Sequence, residues 1–125
     1  MDDVLGPEKL TDVLRSLNTK GGFLVTVLTD AEGLVLASAP APGWTAEKQA
    51  AVVALIQRAA RQSEHVNLGL TDEISIRDVS GRRLICRPFE IDGQVLLLSV
   101  LAEEGKPYRR LTNGAVRDVR RDWTI

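Results

Sequence analysis

Near the start of the chain, apolar residues recur at Leu10, Val13, Leu14 and Leu17, the i, i+3, i+4, i+7 spacing of one helix face. Gly6-Pro7 precedes them, and proline suits a first helical turn because its missing amide donor has no partner there anyway. The pattern predicts a helix from Pro7 to Leu17, broken by Gly21-Gly22. Branched and aromatic residues from Phe23 to Thr29 then predict a strand. Asp30-Ala31-Glu32-Gly33 is turn chemistry, and Leu34 to Ser38 returns as a second strand. Ala39-Pro40-Ala41-Pro42-Gly43 reads as a loop, after which Thr45 is placed to cap a long helix reaching about Val66.

Past a break from Asn67 to Asp72, three strands are expected at Glu73 to Val79, Arg82 to Ile91 and Gln94 to Leu101. Ser80-Gly81 and Asp92-Gly93 separate them, dipeptides of the kind that close two-residue antiparallel hairpins. Glu104 to Pro107 ends this meander. Tyr108, Leu111, Ala115 and Val119 then stand at helical spacing in a last helix weakened by Gly114. The element order is αββαβββα.

Pairing Ile91 with Gln94 and Val79 with Arg82 sets a register, and in it Pro88 falls opposite Glu73, at the frayed start of the third strand, where a missing donor does no harm. The same register places Arg83, Ile85, Arg87, Phe89 and Ile91 on one face with Leu96, Leu98, Val100, Ile74 and Ile76. Leu84, Cys86, Val95, Leu97 and Leu101 share the other. The fifth strand is therefore apolar on both sides, so it belongs in the middle of a sheet that is covered twice. The expected fold is α+β: a five-stranded antiparallel sheet with helix 2 on one face and helices 1 and 3 on the other.

Helix 2 carries Ala50, Ala51, Val52, Val53, Ala54, Leu55, Ile56, Ala59 and Ala60, more apolar surface than a stripe of about 100° facing a sheet can use. Its second side is expected to pack on another molecule, and Ala50, Ala51 and Ala54 would let two helices approach closely. Strand 3 lies at a sheet edge, with backbone groups open to pairing. Two-fold contact of strand 3 with strand 3, beside helix 2 on helix 2, would join two copies. That contact would fall on Ala50, Val53, Ala54, Gln57, Ala60 and Arg61 of the helix and Ile74, Ile76, Arg77 and Asp78 of the strand. The alternative is a monomer whose alanines reflect helix propensity and whose Arg77 and Asp78 protect the edge.

Composition narrows the function classes. The 125 residues (13.7 kDa) fit one domain spanning 1–125, and 44% hydrophobic with 26% charged residues is ordinary for a folded soluble chain. Sixteen Lys and Arg against 17 Asp and Glu leave a formal charge of -1, without the basic field of a nucleic-acid binder. One cysteine, Cys86, makes no internal disulfide, and one histidine, His65, leaves no Cys/His zinc cluster. The N-terminus MDDVLGPEKL lacks the basic start and apolar run of a signal peptide, and the longest apolar stretch, Val95 to Leu98, is too short to span a bilayer. A cytoplasmic chain is expected.

Neither G-x-x-x-x-G-K-[ST] nor G-x-G-x-x-G occurs, and no nucleophile motif surrounds Ser38, Ser63 or Ser99, so the chain is expected to be neither a GTPase itself nor a dinucleotide or serine-nucleophile enzyme. Glu64-His65 reads as a helix-end pair in which histidine suits the dipole, and Cys86 as inert packing in a strand. Arg109, Arg110, Arg117, Arg120 and Arg121 gather in the last helix, interrupted by Asp118 and Asp122. The bland reading is a solvated face. The sharper one is a docking surface for an acidic partner, whose carboxylates match guanidinium forks, ahead of phosphate binding or an arginine finger offered to a GTPase. Trp44 and Trp123 read as packing residues, Trp44 stapling the entrance of helix 2.

The run Thr29-Asp30-Ala31-Glu32-Gly33-Leu34-Val35-Leu36-Ala37-Ser38, a turn and strand followed by a long Ala/Val helix, resembles the Roadblock/LC7 family, in particular its bacterial members of the gliding-motility GTPase-regulator type. The resemblance extends from about Pro7 to Val119, and profilin-like and longin domains share a related layout. It implies a homodimer, or a heterodimer with a paralogue, built through helix 2 and strand 3. It also implies a platform for a small Ras-like GTPase with no catalytic triad and no cofactor. The arginine-rich last helix departs from the family. Two other readings stand beside this one: a structural assembly adaptor without nucleotide sensitivity, and a profilin/PAS-like ligand-sensing domain with a pocket of several hundred Å³ between sheet and helix.

Overall fold

The computed structural model describes residues 6–123, so residues 1–5 of the N-terminal stretch read above for a signal peptide lie outside it. The chain runs α1 Gly6–Gly21, β1 Val25–Asp30, β2 Val35–Pro40, α2 Glu47–Arg61, β3 Ile74–Arg77, β4 Arg83–Ile91, β5 Gln94–Ala102 and α3 Arg109–Asp122. This is the expected α+β order, αββαβββα. The five strands form one antiparallel sheet in the order β2-β1-β5-β4-β3. β5 lies at its centre because both its faces are greasy: Leu96, Leu98 and Val100 point to one side and Leu97 to the other, all fully buried.

The three helices divide over the two faces as expected. Leu10, Leu14 and Leu17 of α1 and Ala115 and Val119 of α3 close over Leu28, Ile85, Leu96, Leu98 and Val100. On the opposite face Ala50 of α2 and Ala46 before it pack on Val25 and Val27, and Val53 packs on Cys86 and Leu97. No helix among the described residues is long and apolar enough to cross a membrane.

Several local expectations need correction. Ala46, not Thr45, stands at the start of α2, and it makes no side-chain capping bond. Burial of Ala46 against β1 secures that end instead of a hydroxyl. α2 stops at Arg61, and a tighter 3-10 turn, Gln62–Val66, replaces its expected last residues. β3 is also shorter than expected, four residues instead of seven.

The β3–β4 register differs by one residue. Asp92-Gly93 is the two-residue turn expected of it, with φ of 51° and 79°. Ser80-Gly81 is not. Asp78 N–H donates to the Arg82 carbonyl at 2.9 Å, which leaves the three residues Val79, Ser80 and Gly81 in the loop, with Gly81 at φ 92°. Asp78 Oδ1 holds this wider turn by accepting from Ser80 N–H, Ser80 Oγ–H and Arg82 N–H at 2.9, 2.7 and 3.0 Å. Ile74 therefore pairs with Cys86 and Ile76 with Leu84, and a slip of one residue flips faces: both isoleucines lie on the α2 side, not with Ile85. Pairing ends at Ile74 and Cys86, so Pro88, expected opposite Glu73 at the start of the strand, falls beyond the last pair, where its missing donor still interrupts no β3 bond.

Candidate functional site

α2 covers the sheet with one stripe and shows another to the outside. Ala50, Val53, Ala54 and Gln57, placed by the sequence in a contact between copies, form the inward stripe and are buried by this chain's own sheet and turns. Ala54 meets the β1–β2 turn so closely that a Cβ on Gly33 would stand 3.0 Å from its methyl, which accounts for glycine at that place in the turn motif. The outward side carries Ala51, Val52, Leu55, Arg58 and Ala59, with Val52 42% and Leu55 60% exposed. Ala60 is half-buried and Arg61 exposed. Helical periodicity could not choose between the stripes, because both are apolar.

In the edge strand β3, Ile74 and Ile76 point to the same side of the sheet as α2. Ile74 packs against the cluster of Val53, Cys86 and Leu97, while Ile76 remains 48% exposed and Arg77 and Asp78 are exposed at the strand's end. On the α2 side of the sheet, Val52 and Leu55 of the helix and Ile76 of the unpaired edge strand thus remain as unburied apolar surface.

The arginines of α3 do not act as one patch. Arg109 joins Asp72 and, at 2.7 Å, Glu73, tying the helix start to the segment that leads into β3. Arg109 also holds the Asp72 carboxyl below its ordinary range, and Tyr108, which donates its hydroxyl to Glu73, has its phenol raised by that bond. Arg121 pairs with Asp118 and Asp122 on its own helix and keeps the Asp122 carboxyl ionised to lower pH. Arg120 lies 5.6 Å over the ring of Phe89. Arg110 and Arg117 remain exposed and make no ion pair among the described residues.

Sequence reasoning assigned no role to Arg87. It sits in β4 with only 7% exposure, donates to Thr112 Oγ1 at 2.7 Å, Asn113 Oδ1 at 2.8 Å and the Asp72 carbonyl at 3.1 Å, and so locks β4, α3 and the β3 approach together. An arginine alternating with Ile85 and Phe89 on an apolar strand face is the signal that could have found it.

The remaining candidates resolve into structure. The Cys86 thiol is fully buried, and burial pushes its pKa up to about 12, which suppresses the thiolate a nucleophile needs. His65 is exposed in the 3-10 turn after α2. Trp44 lies under Arg82, 5.3 Å from ring to guanidinium, and Trp123 packs against the α1/α3 core. Among the described residues no three of His, Cys, Asp and Glu gather as metal ligands would. Between α2 and the sheet, Val53, Cys86 and Leu97 leave no accessible surface, so a buried ligand pocket of the PAS kind has no room there. A groove of about 800 Å³ does exist, outside the core at the β4 edge between the end of α2 and α3.

No family model matches the chain, and no curated protein matches it. Solved structures do. The gliding protein MglB from Thermus thermophilus superposes with a TM-score of 0.76 at 19% identity, covering 94% of this chain and 90% of its own. An MglB with a tetrameric arrangement gives 0.78 at 18% identity, over 94% and 89%. The Roadblock/LC7 domain from Streptomyces avermitilis gives 0.65 at 16%, over 89% and 92%.

Proposed function

Starting from the Roadblock/LC7 fold of this chain, we propose that it is a non-enzymatic cytoplasmic regulator that works as a homodimer, or paired with a paralogue, and binds a small Ras-like GTPase. The observations that carry this reading are the outer side of α2, where Val52 and Leu55 are exposed, and the open edge at β3, where Ile76 is exposed. A second copy related by a two-fold axis would cover both features at once, β3 pairing with β3 and α2 packing on α2. Ala60, Arg61, Ile76, Arg77 and Asp78 would border that contact, with Val52 and Leu55 at its centre. Similarity to MglB supports a regulatory rather than a catalytic role, and the tetrameric arrangement of one MglB supports self-association. The dimer would act by surface complementarity, binding one switch conformation of the GTPase more tightly and so raising its population.

The reading is tested in two steps. In sedimentation velocity the protein should run at twice its chain mass and Leu55→Asp at the chain mass. In pull-down with a small Ras-like GTPase encoded near its gene, capture should differ about tenfold between GDP and GTP-analogue states. Equal capture in both states would move the function to an assembly adaptor, and an unchanged mass for Leu55→Asp would remove the proposed contact.

A further inference from the structure

We propose that the groove at the unpaired end of β4 binds an extended acidic segment of a partner protein as an added strand. β4 has nine residues and β3 only four, and their pairing stops at Ile74 and Cys86. Hydrogen bonds alternate sides along an antiparallel strand. The Arg82 carbonyl accepts from Asp78 N–H, so the even-numbered positions of the following strand turn their backbone groups toward β3, and the closing pair Ile91 and Gln94 turns the odd ones toward β5. The Pro88 carbonyl and Glu90 N–H consequently face the open side. Proline at 88 costs this edge one donor and leaves the β5 ladder whole.

The groove around this edge, about 800 Å³, is walled by the end of α2 on one face of the sheet and by α3 on the other. Arg61, Arg87, Arg117 and Arg120 line it against Asp72 and Glu90, and Asp72 is already engaged by Arg87 and Arg109. Arg61 and Arg117 make no ion pair among the described residues. An open strand edge flanked by two guanidinium groups that make no ion pair fits one kind of occupant. Successive side chains of an added strand project to opposite faces, so two adjacent carboxylates would reach Arg61 beside α2 and Arg117 on α3, while main-chain bonds form at Pro88 and Glu90.

The test uses the full chain and a fluorescein-labelled hexapeptide of valine and threonine with a central Glu-Glu pair, against a counterpart with Lys-Lys. In fluorescence anisotropy the Glu-Glu peptide should bind at least about tenfold more tightly than the Lys-Lys one, and Arg117→Glu should weaken it about tenfold. Arg117→Gln, a milder change at the same exposed site, should weaken it less. Hydrogen exchange of the Glu90 amide should slow when the peptide is added. Equal binding of the two peptides, no binding, indifference to Arg117→Glu, or protection at β3 in place of Glu90 would each overturn the proposal. So would a loss of self-association on Arg117→Glu, which would give the groove to a second copy. Arg61→Glu is set aside because Arg61 also borders the proposed dimer contact, and a dimer that survives Arg117→Glu separates this test from that one.

Discussion

The two faces of the sheet are covered differently. On one, α1 and α3 lie side by side and interlock Leu10, Leu14, Leu17, Ala115 and Val119 with five large residues of the strands. Their outer sides are polar, with Asp12, Arg15, Arg110 and Arg117 exposed. On the other face a single helix covers the sheet with small residues, Ala50 and Ala54 beside one valine, Val53, and keeps Val52 and Leu55 outside. The first face completes its burial within the chain. The second buries what one helix can reach and leaves apolar surface uncovered, which is the surface the proposed contact would use.

The largest expected effect lies on the finished face. Leu14 is fully buried at its centre, and Leu14→Ala should lower stability by about 2–5 kcal/mol, since the cavity adds to the lost transfer energy. Urea unfolding measures it, and a loss under about 1 kcal/mol would mean that this face is less tightly filled than the burial says. On α2, Leu55→Asp sharpens the contrast. The same type of residue at 60% exposure should change the stability of a protomer by less than about 0.5 kcal/mol. Its effect should appear elsewhere: the melting temperature of the unaltered protein rises with concentration if two copies associate, and that rise should vanish in Leu55→Asp. A large loss of stability in the variant at every concentration would show that Leu55 serves the core of its own chain.

How far these features were legible in the chain depended on whether a local signal had competitors. The central place of β5 was legible because Leu96, Leu97 and Leu98 are consecutive and only a doubly covered strand accommodates them. The Asp92-Gly93 turn was legible because that dipeptide favours two positive φ angles. Ser80-Gly81 carried nearly the same signal, but the side chain of Asp78, two residues upstream, accepts three hydrogen bonds and widens the loop by a residue. One residue was enough to exchange the faces of Ile74 and Ile76. On α2 the stripe of Ala50 and Val53 and the stripe of Val52 and Leu55 were equally apolar, so only tertiary packing could tell inside from outside. The partition of the arginines was illegible for a related reason. Asp72 and Glu73 are far from Arg109 in sequence, and nothing local announces that pair.

That pair also gives the smallest effect, at the junction of the two regions. β3 is thinly packed at the edge, and polar ties from α3 and β4 hold the segment leading into it: Arg109 of α3 to Asp72 and Glu73, and Arg87 of β4 to Asp72. The Arg109 bond lowers the Asp72 pKa below its ordinary 3.8, so the folded state favours the ionised carboxylate. A depressed carboxylate pKa contributes stability that is fully present above the unfolded value and fades as pH falls through the folded one. Asp72 is 65% exposed, so solvent screens the pair and the contribution should stay under about 1 kcal/mol. The clean measurement is the stability difference between the unaltered protein and Asp72→Asn, which cancels the other carboxylates. It should be small and positive near neutral pH, shrink below 3.8 and fall further when salt is raised. A difference near zero at every pH would mean that Asp72 holds β3 through its backbone carbonyl on Arg87, which Asp72→Asn keeps, and not through its charge, and the edge would then be fastened independently of pH, like the face that α1 and α3 close.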